Sequence, residues 1–331
     1  MEAVWQSGLD FITWLQTTYP QLAGFFFFIT DLGREEFYLA VLPLIYWVIN
    51  KRLGKYLGAV FFFTVMVNGI FKQAFRGPRP FWINSAVGLD NRETSYGIPS
   101  GHTMNGTIVY LFIAAWIGKR WVWAVAVIMV FLMGLSRIYL GAHFPTDVIA
   151  GLLLALLILG SYAFWARRYR TRFEKRILGQ RLMIAILVPV ILGFIFIAIR
   201  FLIGSPDMAV VWASFIPAAE VSSILSIAQA FGLLLGFSVG AVLEGSKIRF
   251  RVDGPIWQRT IRYIVGLVVL VGLWFGLGQL FPRDPLMIAI PLRILRYFIV
   301  ALWAAYYAPW VFVKLRLAAA DPEPEIDMSL R

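Results

Sequence analysis

The sequence predicts an all-α, polytopic membrane helix bundle with about nine transmembrane helices. Hydrophobic residues make up 60% of the 331 positions, and the mean hydropathy is +0.77. A soluble domain of this length would need far more polar surface. The hydrophobic residues fall into separate runs, each near the roughly 20 residues that a helix needs to cross the hydrocarbon layer. Clusters of lysine and arginine separate many of these runs, as expected of a chain that crosses the membrane repeatedly.

The amino-terminal segment predicts a short interfacial helix, because aromatic and aliphatic residues alternate with polar ones between Val4 and Leu15. No cleavable signal peptide is expected, since no basic region precedes the first apolar stretch. Hydrophobic runs that each predict one span then follow. They cover residues 32–50, 53–75, 100–118, 121–139, 144–165, 182–203, 221–243, 261–281 and 286–313.

The basic residues predict the orientation of these spans. Basic clusters follow the first, third, fifth, seventh and ninth runs, so all of them lie on one side, which the positive-inside rule makes cytoplasmic. They lie at residues 51–55, 119–120, 167–181, 247–262 and 314–316. The net charge of +12 fits such loops facing anionic lipid heads, and no nucleic-acid partner is expected.

Three polar clusters interrupt the apolar sequence and contain both histidines of the chain. They read Lys72-x6-Arg79-Pro80, Pro99-Ser100-Gly101-His102 and Ser136-Arg137-x5-His143-x3-Asp147. With nine spans, the four helix ends that carry them all point to the non-cytoplasmic face. Two imidazoles, three cations and one carboxylate are the groups needed to hold a phosphate, attack it and protonate its leaving group.

The cations and one helix start predict a phosphate-binding site. Arg79 can donate two parallel N–H bonds to a phosphate, while Lys72 supplies a mobile point charge. Ser100 suits a helix cap, and the free N–H groups of Ser100, Gly101 and the following histidine would form an anion site. Arg137 ends the fourth span, where Ser136 would add a hydroxyl donor. The alternative is that these cations are interfacial anchors that snorkel to the lipid headgroups.

The two histidines are predicted to divide the chemistry. His102, beside the anion, would protonate the departing alkoxide. His143 would attack the phosphorus, with Asp147 four residues later fixing the tautomer of its ring. The alternatives are a structural role for His102 and a dipole-favoured charge at a helix start for Asp147.

These motifs resemble those of the type 2 phosphatidic acid phosphatase superfamily, which includes the vanadium haloperoxidases, and they match its three signatures throughout. The resemblance implies a phosphohistidine on His143, proton transfer by His102 and orientation by Asp147, without a metal or other cofactor. It also implies a phosphate held by Lys72, Arg79, Ser100, Gly101 and Arg137.

The family core has six helices, so the resemblance divides the chain into four segments. We expect an interfacial segment at 1–20, a six-helix phosphatase core at 21–205, three additional membrane helices at 206–317 and a polar cytoplasmic tail at 318–331. Glycines spaced by four, at 232, 236 and 240 and at 272 and 276, suit close helix packing within the bundle or in a homodimer.

The leading hypothesis is a metal-independent, acid-phosphatase-like phosphoric monoester hydrolase in the cell (inner) membrane, with its active site on the non-cytoplasmic face. Its substrate would be phosphatidate, a sphingoid-base phosphate or a polyprenyl diphosphate, presented among membrane lipids. The sequence around Tyr96 resembles the sphingosine-phosphate phosphatase branch, whereas Ala142-His143-Phe144-Pro145 and the nine-span layout resemble glucose-6-phosphatase. The alternatives are therefore a sugar-phosphate phosphatase or a non-catalytic transporter or scaffold. The absence of cysteine excludes disulfides and thiol chemistry.

Overall fold

The computed structural model describes residues 2–282 and 284–322, so the last nine residues of the predicted polar tail lie outside it. Helices and the loops that join them make up this part of the chain, and no β-strand is present within it. A β-bridge joins Phe250 and Ala320. The all-α prediction is confirmed.

The α-helices follow the predicted hydrophobic runs closely. They are α1 Glu2–Thr18, α2 Ala23–Asp31, α3 Glu35–Leu44, α4 Lys51–Phe75, α5 Pro80–Ile83, α6 Gly101–Ile117, α7 Arg120–Tyr139, α8 Pro145–Arg168, α9 Arg170–Glu174, α10 Leu178–Ile203, α11 Ile216–Leu243, α12 Ile256–Leu280, α13 Leu286–Leu302 and α14 Ala308–Lys314. Short 3₁₀ segments lie at Pro20–Leu22, Ser85–Val87 and Ala213–Phe215, and π-helical segments at Ile45–Ile49, Glu244–Ile248 and Trp303–Tyr307.

Within the described residues, 7 helical stretches are long and apolar enough to cross a membrane. The other two predicted runs are helical but shorter, since α6 has 17 residues. The first run begins later than predicted, because turn residues separate α2 from α3. The chain is an integral membrane protein, and the count of nine spans stays a prediction.

Contacts between residues divide the chain into two compact units, each assembled from segments that are distant in sequence. Unit 1 comprises Met1–Tyr38, Thr64–Gly160 and Phe194–Ile227, and unit 2 comprises Leu39–Phe63, Ser161–Gly193 and Ala228–Arg331. All three motifs belong to unit 1. The four predicted segments differ from these units in their boundaries and stay predictions.

In unit 1, α1 braces the turn that leads into α8. Leu9 and Ile12 of α1 are buried against Phe144. The side-chain amide of Gln16 donates to the carbonyl of Val87 at 2.9 Å and to that of Tyr139 at 2.7 Å. The predicted interfacial segment is therefore a helix that packs beside the third motif.

Gly141 lets this turn approach the 84–99 loop. Its φ is +67°, a conformation that residues with a side chain rarely adopt. A Cβ at this position would lie 1.9 Å from the carbonyl oxygen of Val87. The close approach allows the N–H of Asp90 to donate to the carbonyl of Leu140 at 3.1 Å.

Unit 2 buries an ion pair where its three π-helical segments meet. Glu244 is fully buried and lies 2.9 Å from the ammonium of Lys51. Its carboxylate also accepts the N–H of Phe250 at 2.9 Å. The hydroxyl of Tyr46, in the first π segment, donates to the carbonyl of Ala305, in the last, at 3.2 Å. These partners compensate the cost of burying a charge.

Two arginines in α13 of unit 2 also find polar partners. Arg293 donates to the side-chain oxygen of Gln229 at 2.9 Å. Arg296 donates to the carbonyl of Trp274 at 2.9 Å from its Nε, and its guanidinium lies over the rings of Trp274 and Tyr297. An arginine in a membrane helix is tolerated when it faces such partners.

The two glycine series differ in what surrounds them. A Cβ on Gly236 would lie 2.4 Å from the carbonyl oxygen of Phe298, and the neighbouring glycines of that series are equally crowded. Around Gly272 and Gly276, in contrast, nothing lies within 4 Å. The first series therefore packs α11 against α13, as close helix packing predicts. A homodimer stays a prediction.

We expect Gly236→Ala to destabilise the protein by about 1–3 kcal/mol, because the added methyl group must displace backbone atoms. Gly272→Ala is the matched control, since it adds the same methyl group on a helix without a close neighbour. We expect the control to keep or raise the wild-type stability, since alanine favours helix over glycine. The melting temperature of each purified variant in detergent tests this, and equal losses would contradict it.

Candidate active site

The three motifs converge in unit 1 because each lies at or beside the end of a helix. The first spans the end of α4 and the start of α5, the second caps α6, and the third joins the end of α7 to the start of α8. Seven of their polar residues are buried: Lys72, Arg79, Ser100, Ser136, Arg137, His143 and Asp147. A concentration of buried ionisable groups in a membrane protein marks a functional site.

His143 and Asp147 form the pair that their spacing predicted. The Nδ1 of His143 lies 3.2 Å from Oδ2 of Asp147, and the same oxygen accepts the N–H of Phe144 at 3.0 Å. Because a carboxylate accepts hydrogen bonds, Nδ1 is assigned the proton and Nε2 keeps its lone pair. This tautomer is the one that a nucleophilic Nε2 requires.

Arg79 links the histidine pair to the 84–99 loop. Its guanidinium is completely buried and donates to the carbonyls of Ser95 at 2.6 Å and Ala142 at 3.0 Å. One of its nitrogens also lies 3.3 Å from Nε2 of His143. A group that reacts with this imidazole nitrogen would therefore contact Arg79.

Lys72 is held by the same loop. Its ammonium donates to the carbonyl of Tyr96 at 2.5 Å and to the hydroxyl of Ser95 at 3.0 Å. Arg79 shares both acceptors, at 3.3 Å from the Tyr96 carbonyl and 3.0 Å from the Ser95 hydroxyl. Hydrogen bonds to two consecutive loop residues, Ser95 and Tyr96, thus fix the positions of both cations of the first motif.

Arg137 brings the third cation. One nitrogen of its guanidinium donates to the hydroxyl of Thr30 at 2.5 Å and to Asp90 at 3.1 Å. Its Nε and its other terminal nitrogen are buried and make no hydrogen bond within the described part of the chain. Buried donors of this kind favour a bound oxyanion.

Glu93 lies among these cations. Its carboxylate is 3.5 Å from Arg79, 3.7 Å from Arg137 and 4.0 Å from Nδ1 of His102. Burial alone would raise the pKa of this carboxyl, but the neighbouring positive charges hold the pKa well below its usual range. The position is therefore one that favours a negative charge.

Close packing places His102 beside this carboxylate. A Cβ on Gly33 would lie 2.6 Å from the His102 ring, so a larger residue there would displace the imidazole. The Nε2 of His102 is buried without a hydrogen-bond partner among the residues that the structure describes. A substrate group could therefore contact this nitrogen without replacing an internal hydrogen bond.

Two groups that were expected to donate to the phosphate, the N–H of Ser100 and the hydroxyl of Ser136, donate to carbonyls of the protein. The N–H of Ser100 is not free, because it donates to the carbonyl of Asp147 at 3.0 Å as α8 packs against the start of α6. Its hydroxyl caps α6 by accepting the N–H of Thr103. The hydroxyl of Ser136 donates to the carbonyl of Met133 in its own helix at 2.7 Å. Helix bonding leaves the N–H groups of Gly101 and His102 available at the first turn, and phosphate contacts stay a prediction.

The loop before the second motif supplies groups that the motifs did not indicate. The loop residues are Asp90, Glu93, Ser95 and Tyr96. Two further groups come from helices, Thr30 from α2 and Glu220 from α11. The run of polar residues at 90–95 is the signal in the sequence that could have identified most of them. No sequence feature connects Thr30 or Glu220 to the site. Within the residues described, no group of three His, Cys, Asp or Glu side chains is placed to hold a metal ion.

Two family patterns match this chain. Residues 53–172 match the PAP2 superfamily, and residues 228–320 match the transmembrane extension of PAP2 superfamily phosphatases. No solved structure gives a significant match.

Curated relatives of the chain carry lipid phosphatase names. It is 31% identical to an undecaprenyl-diphosphatase from Sulfolobus acidocaldarius over 41% of this chain and 68% of the relative. It is 32% identical to phosphatidylglycerophosphatase B from Bacillus subtilis over 39% of this chain and 68% of the relative. The human sphingosine-1-phosphate phosphatase 2 is 32% identical over 42% of this chain, but the match spans only 37% of that relative.

We expect the ring of His143 to stay neutral when the pH falls to 6.5, the ordinary pKa of histidine. Burial and the positive charges of Arg79 and Lys72 lower the pKa of His143 well below that value, so the lone pair of Nε2 persists until a lower pH is reached. The ring-nitrogen shifts of protein labelled with ¹⁵N-histidine measure this directly. His102→Gln assigns the signals, since it leaves one histidine, and half-protonation of His143 at or above pH 6.5 would contradict the prediction.

Proposed function

The chain belongs to the PAP2 superfamily of membrane phosphatases, and we propose that it hydrolyses the phosphate ester or diphosphate of a membrane lipid through a phosphohistidine on His143. The observation that carries the mechanism is the line from Asp147 through the His143 ring to Arg79, with contacts of 3.2 and 3.3 Å. It supports a nucleophile oriented on one side and a phosphate-binding cation on the other.

In the proposed first step, Nε2 of His143 attacks the phosphorus and the bond to the leaving oxygen breaks. His102 gives its proton to that oxygen, which departs as an alcohol, or as a monophosphate when the substrate is a diphosphate. Lys72, Arg79 and Arg137 neutralise the charge on the other phosphate oxygens. Asp147 stabilises the positive charge that develops on the His143 ring.

The second step reverses these proton transfers. His102, now neutral, accepts a proton from water, and the resulting hydroxide attacks the phosphohistidine. The P–N bond breaks, phosphate is released and both histidines return to their starting states. The basic site supplies charge that a divalent ion provides in other phosphatases, so we expect the reaction to need no metal.

Glu93 gives the resting site an internal anion. Its carboxylate contacts two of the cations that we assign to the phosphate, Arg79 and Arg137. A substrate phosphate at these cations would repel the Glu93 carboxylate, since like charges repel at such distances. Binding therefore requires that Glu93 move away or that both anions contact the same arginines.

A lipid phosphate is the substrate class we favour, because the relatives named above all carry the names of lipid phosphatases. Those names belong to different lipids, so the proposal covers lipid phosphates as a class. A sugar-phosphate phosphatase remains the second candidate, favoured by the Ala142-His143-Phe144-Pro145 sequence. A transporter or scaffold is the third, and the intact set of motif residues argues against it.

We further propose that the protein lies in the cell (inner) membrane with its site on the non-cytoplasmic face. The site lies at the helix ends opposite the basic clusters at 51–55, 119–120 and 167–181. These clusters favour the cytoplasmic side, which supports an outward-facing site independently of the last three spans.

Purified protein is expected to release phosphate from undecaprenyl diphosphate, sphingosine 1-phosphate, phosphatidate or phosphatidylglycerophosphate in preference to glucose 6-phosphate. His143→Ala should abolish release, since it removes the nucleophile. His102→Ala should slow it by roughly 10²–10⁴-fold, the usual contribution of a general acid.

Ser85→Ala is the control variant, because Ser85 is exposed and belongs to none of the three motifs. Wild-type activity should also persist in EDTA. Full activity in His143→Ala would exclude His143 as the nucleophile. Activity that disappears in EDTA and returns with magnesium would exclude the metal-free mechanism. Preference for glucose 6-phosphate would favour the sugar-phosphate phosphatase hypothesis. If no substrate releases phosphate, the transporter or scaffold hypothesis would be favoured.

Single-cysteine variants test the sidedness without interference, since the chain has no cysteine of its own. Ser85 in the 84–99 loop and Thr171 in α9 are both exposed, and our topology places them on opposite sides. In intact cells, an impermeant maleimide should label Ser85→Cys and not Thr171→Cys. Permeabilised cells, in which both should react, are the control. Labelling at position 171 alone would put the site in the cytoplasm.

A further inference from the structure

A mostly buried carboxylate near the candidate active site belongs to none of the three motifs. Glu220 lies in the first turns of α11 and its side chain is 13% exposed. It forms ion pairs with Arg76 at 3.0 Å and with Arg200 at 2.6 Å. It also accepts hydrogen bonds from the hydroxyl of Tyr96 at 2.7 Å and from Gln73 at 3.3 Å. All five residues belong to unit 1.

Tyr96 connects this carboxylate to the phosphate-binding cations. Its hydroxyl donates to Glu220, while its main-chain carbonyl accepts from Lys72 at 2.5 Å and from Arg79 at 3.3 Å. Burial, followed by the hydrogen bond to Glu220, raises the pKa of Tyr96, so the phenol stays protonated and remains a donor. The ring also packs edge-on against Trp82, which limits its movement.

The same carboxylate holds the helix end that carries Lys72. Gln73 and Arg76 follow Lys72 by one and four residues, and both contact Glu220. One side chain therefore anchors the end of α4 and the 95–96 loop segment together. These are the two segments whose relative position determines where the ammonium of Lys72 points.

We infer that Glu220 is a positioning residue for the proposed hydrolysis, acting through Tyr96 to aim Lys72 and Arg79 at the substrate phosphate. The inference rests on the proposed function. It gives the start of α11, which precedes the residues matched by the transmembrane extension, a direct part in assembling the site. An ion-paired carboxylate is costly to bury, and an apolar side chain would serve if packing were its only role.

Tyr96→Phe is the sharper test, because it removes one hydroxyl and leaves the ring, the carbonyl and both arginine ion pairs in place. Glu220→Gln removes the charge and serves as the second variant. We expect each to raise the KM for the lipid phosphate and the inhibition constant of inorganic phosphate by about 10-fold, the scale of one hydrogen bond to a charged group. The kcat should fall less, because the aimed cations bind phosphate in the ground state too.

The phosphate affinity of the double variant should fall no further than that of the weaker-binding single variant, since both changes break the same connection. Ser222→Ala is the matched control: it removes a hydrogen bond of 3.2 Å from the hydroxyl of Thr94, between the same helix and the same loop but without a link to Lys72. It should leave the phosphate inhibition constant within about twofold of wild type.

Turnover is followed by the dephosphorylated lipid, and phosphate binding by the rise in melting temperature that inorganic phosphate produces. Unchanged phosphate affinity in Tyr96→Phe and Glu220→Gln, with lower melting temperatures, would show that Glu220 only stabilises the fold. Losses that multiply in the double variant, or an equal loss in Ser222→Ala, would also overturn the inference. A wild type that turns over no lipid phosphate counts against the proposed function instead, and the phosphate-dependent melting still tests Glu220.

Discussion

The candidate site depends on satisfying the donors of a guanidinium that has no access to solvent. Arg79 is completely buried, and a buried charge with unpaired donors would cost several kcal/mol. Its partners come from the loop carbonyl of Ser95 and from the turn carbonyl of Ala142. The requirement therefore holds three segments of unit 1 together, and His143 follows directly after one of them.

The need to compensate buried positive charge also explains why acidic residues surround a site that would bind an anion. Three cations lie close together in unit 1, and their mutual repulsion would destabilise an unoccupied site. Asp90 pairs with Arg137, and Glu93 lies between Arg137 and Arg79. These carboxylates stabilise the cations without enclosing all their donors, since two nitrogens of Arg137 have no hydrogen bond among the described residues. The arrangement combines charge compensation within the fold with donors that remain for the proposed phosphate.

Unit 2 meets the demands of a membrane helix bundle by other means. Crowded glycines let the backbones of α11 and α13 approach closely, where dispersion forces replace the hydrophobic effect that lipid does not provide. Its buried ionisable groups pair locally, as Glu244 does with Lys51, and arginines rest on aromatic rings. The part of α11 in unit 1 differs, because Glu220 there contacts the segments that carry the candidate site.

The sequence alone determined the helical membrane class, the family and the residues of the three motifs. Hydropathy and basic clusters report on each span separately, and Lys-x6-Arg-Pro, Pro-Ser-Gly-His and Ser-Arg-x5-His-x3-Asp are local patterns with a known chemistry. The pairing of His143 with Asp147 was accessible for the same reason, since Asp147 follows four positions after His143 across the start of one helix. The start of the first span was less accurate, because a turn occupies residues 32–34, which were predicted as the beginning of its apolar run.

Only the tertiary structure decided which groups hold the motif residues in place. Thr30, Asp90 and Glu220 each contact partners that are between 47 and 147 residues away in sequence, and no local pattern records such a contact. It also decided that the Ser100 N–H is used by the carbonyl of Asp147, and that one glycine series is crowded while the other is open. Composition and spacing determine which residues a helix presents, whereas the neighbour that each residue meets depends on how the helices pack.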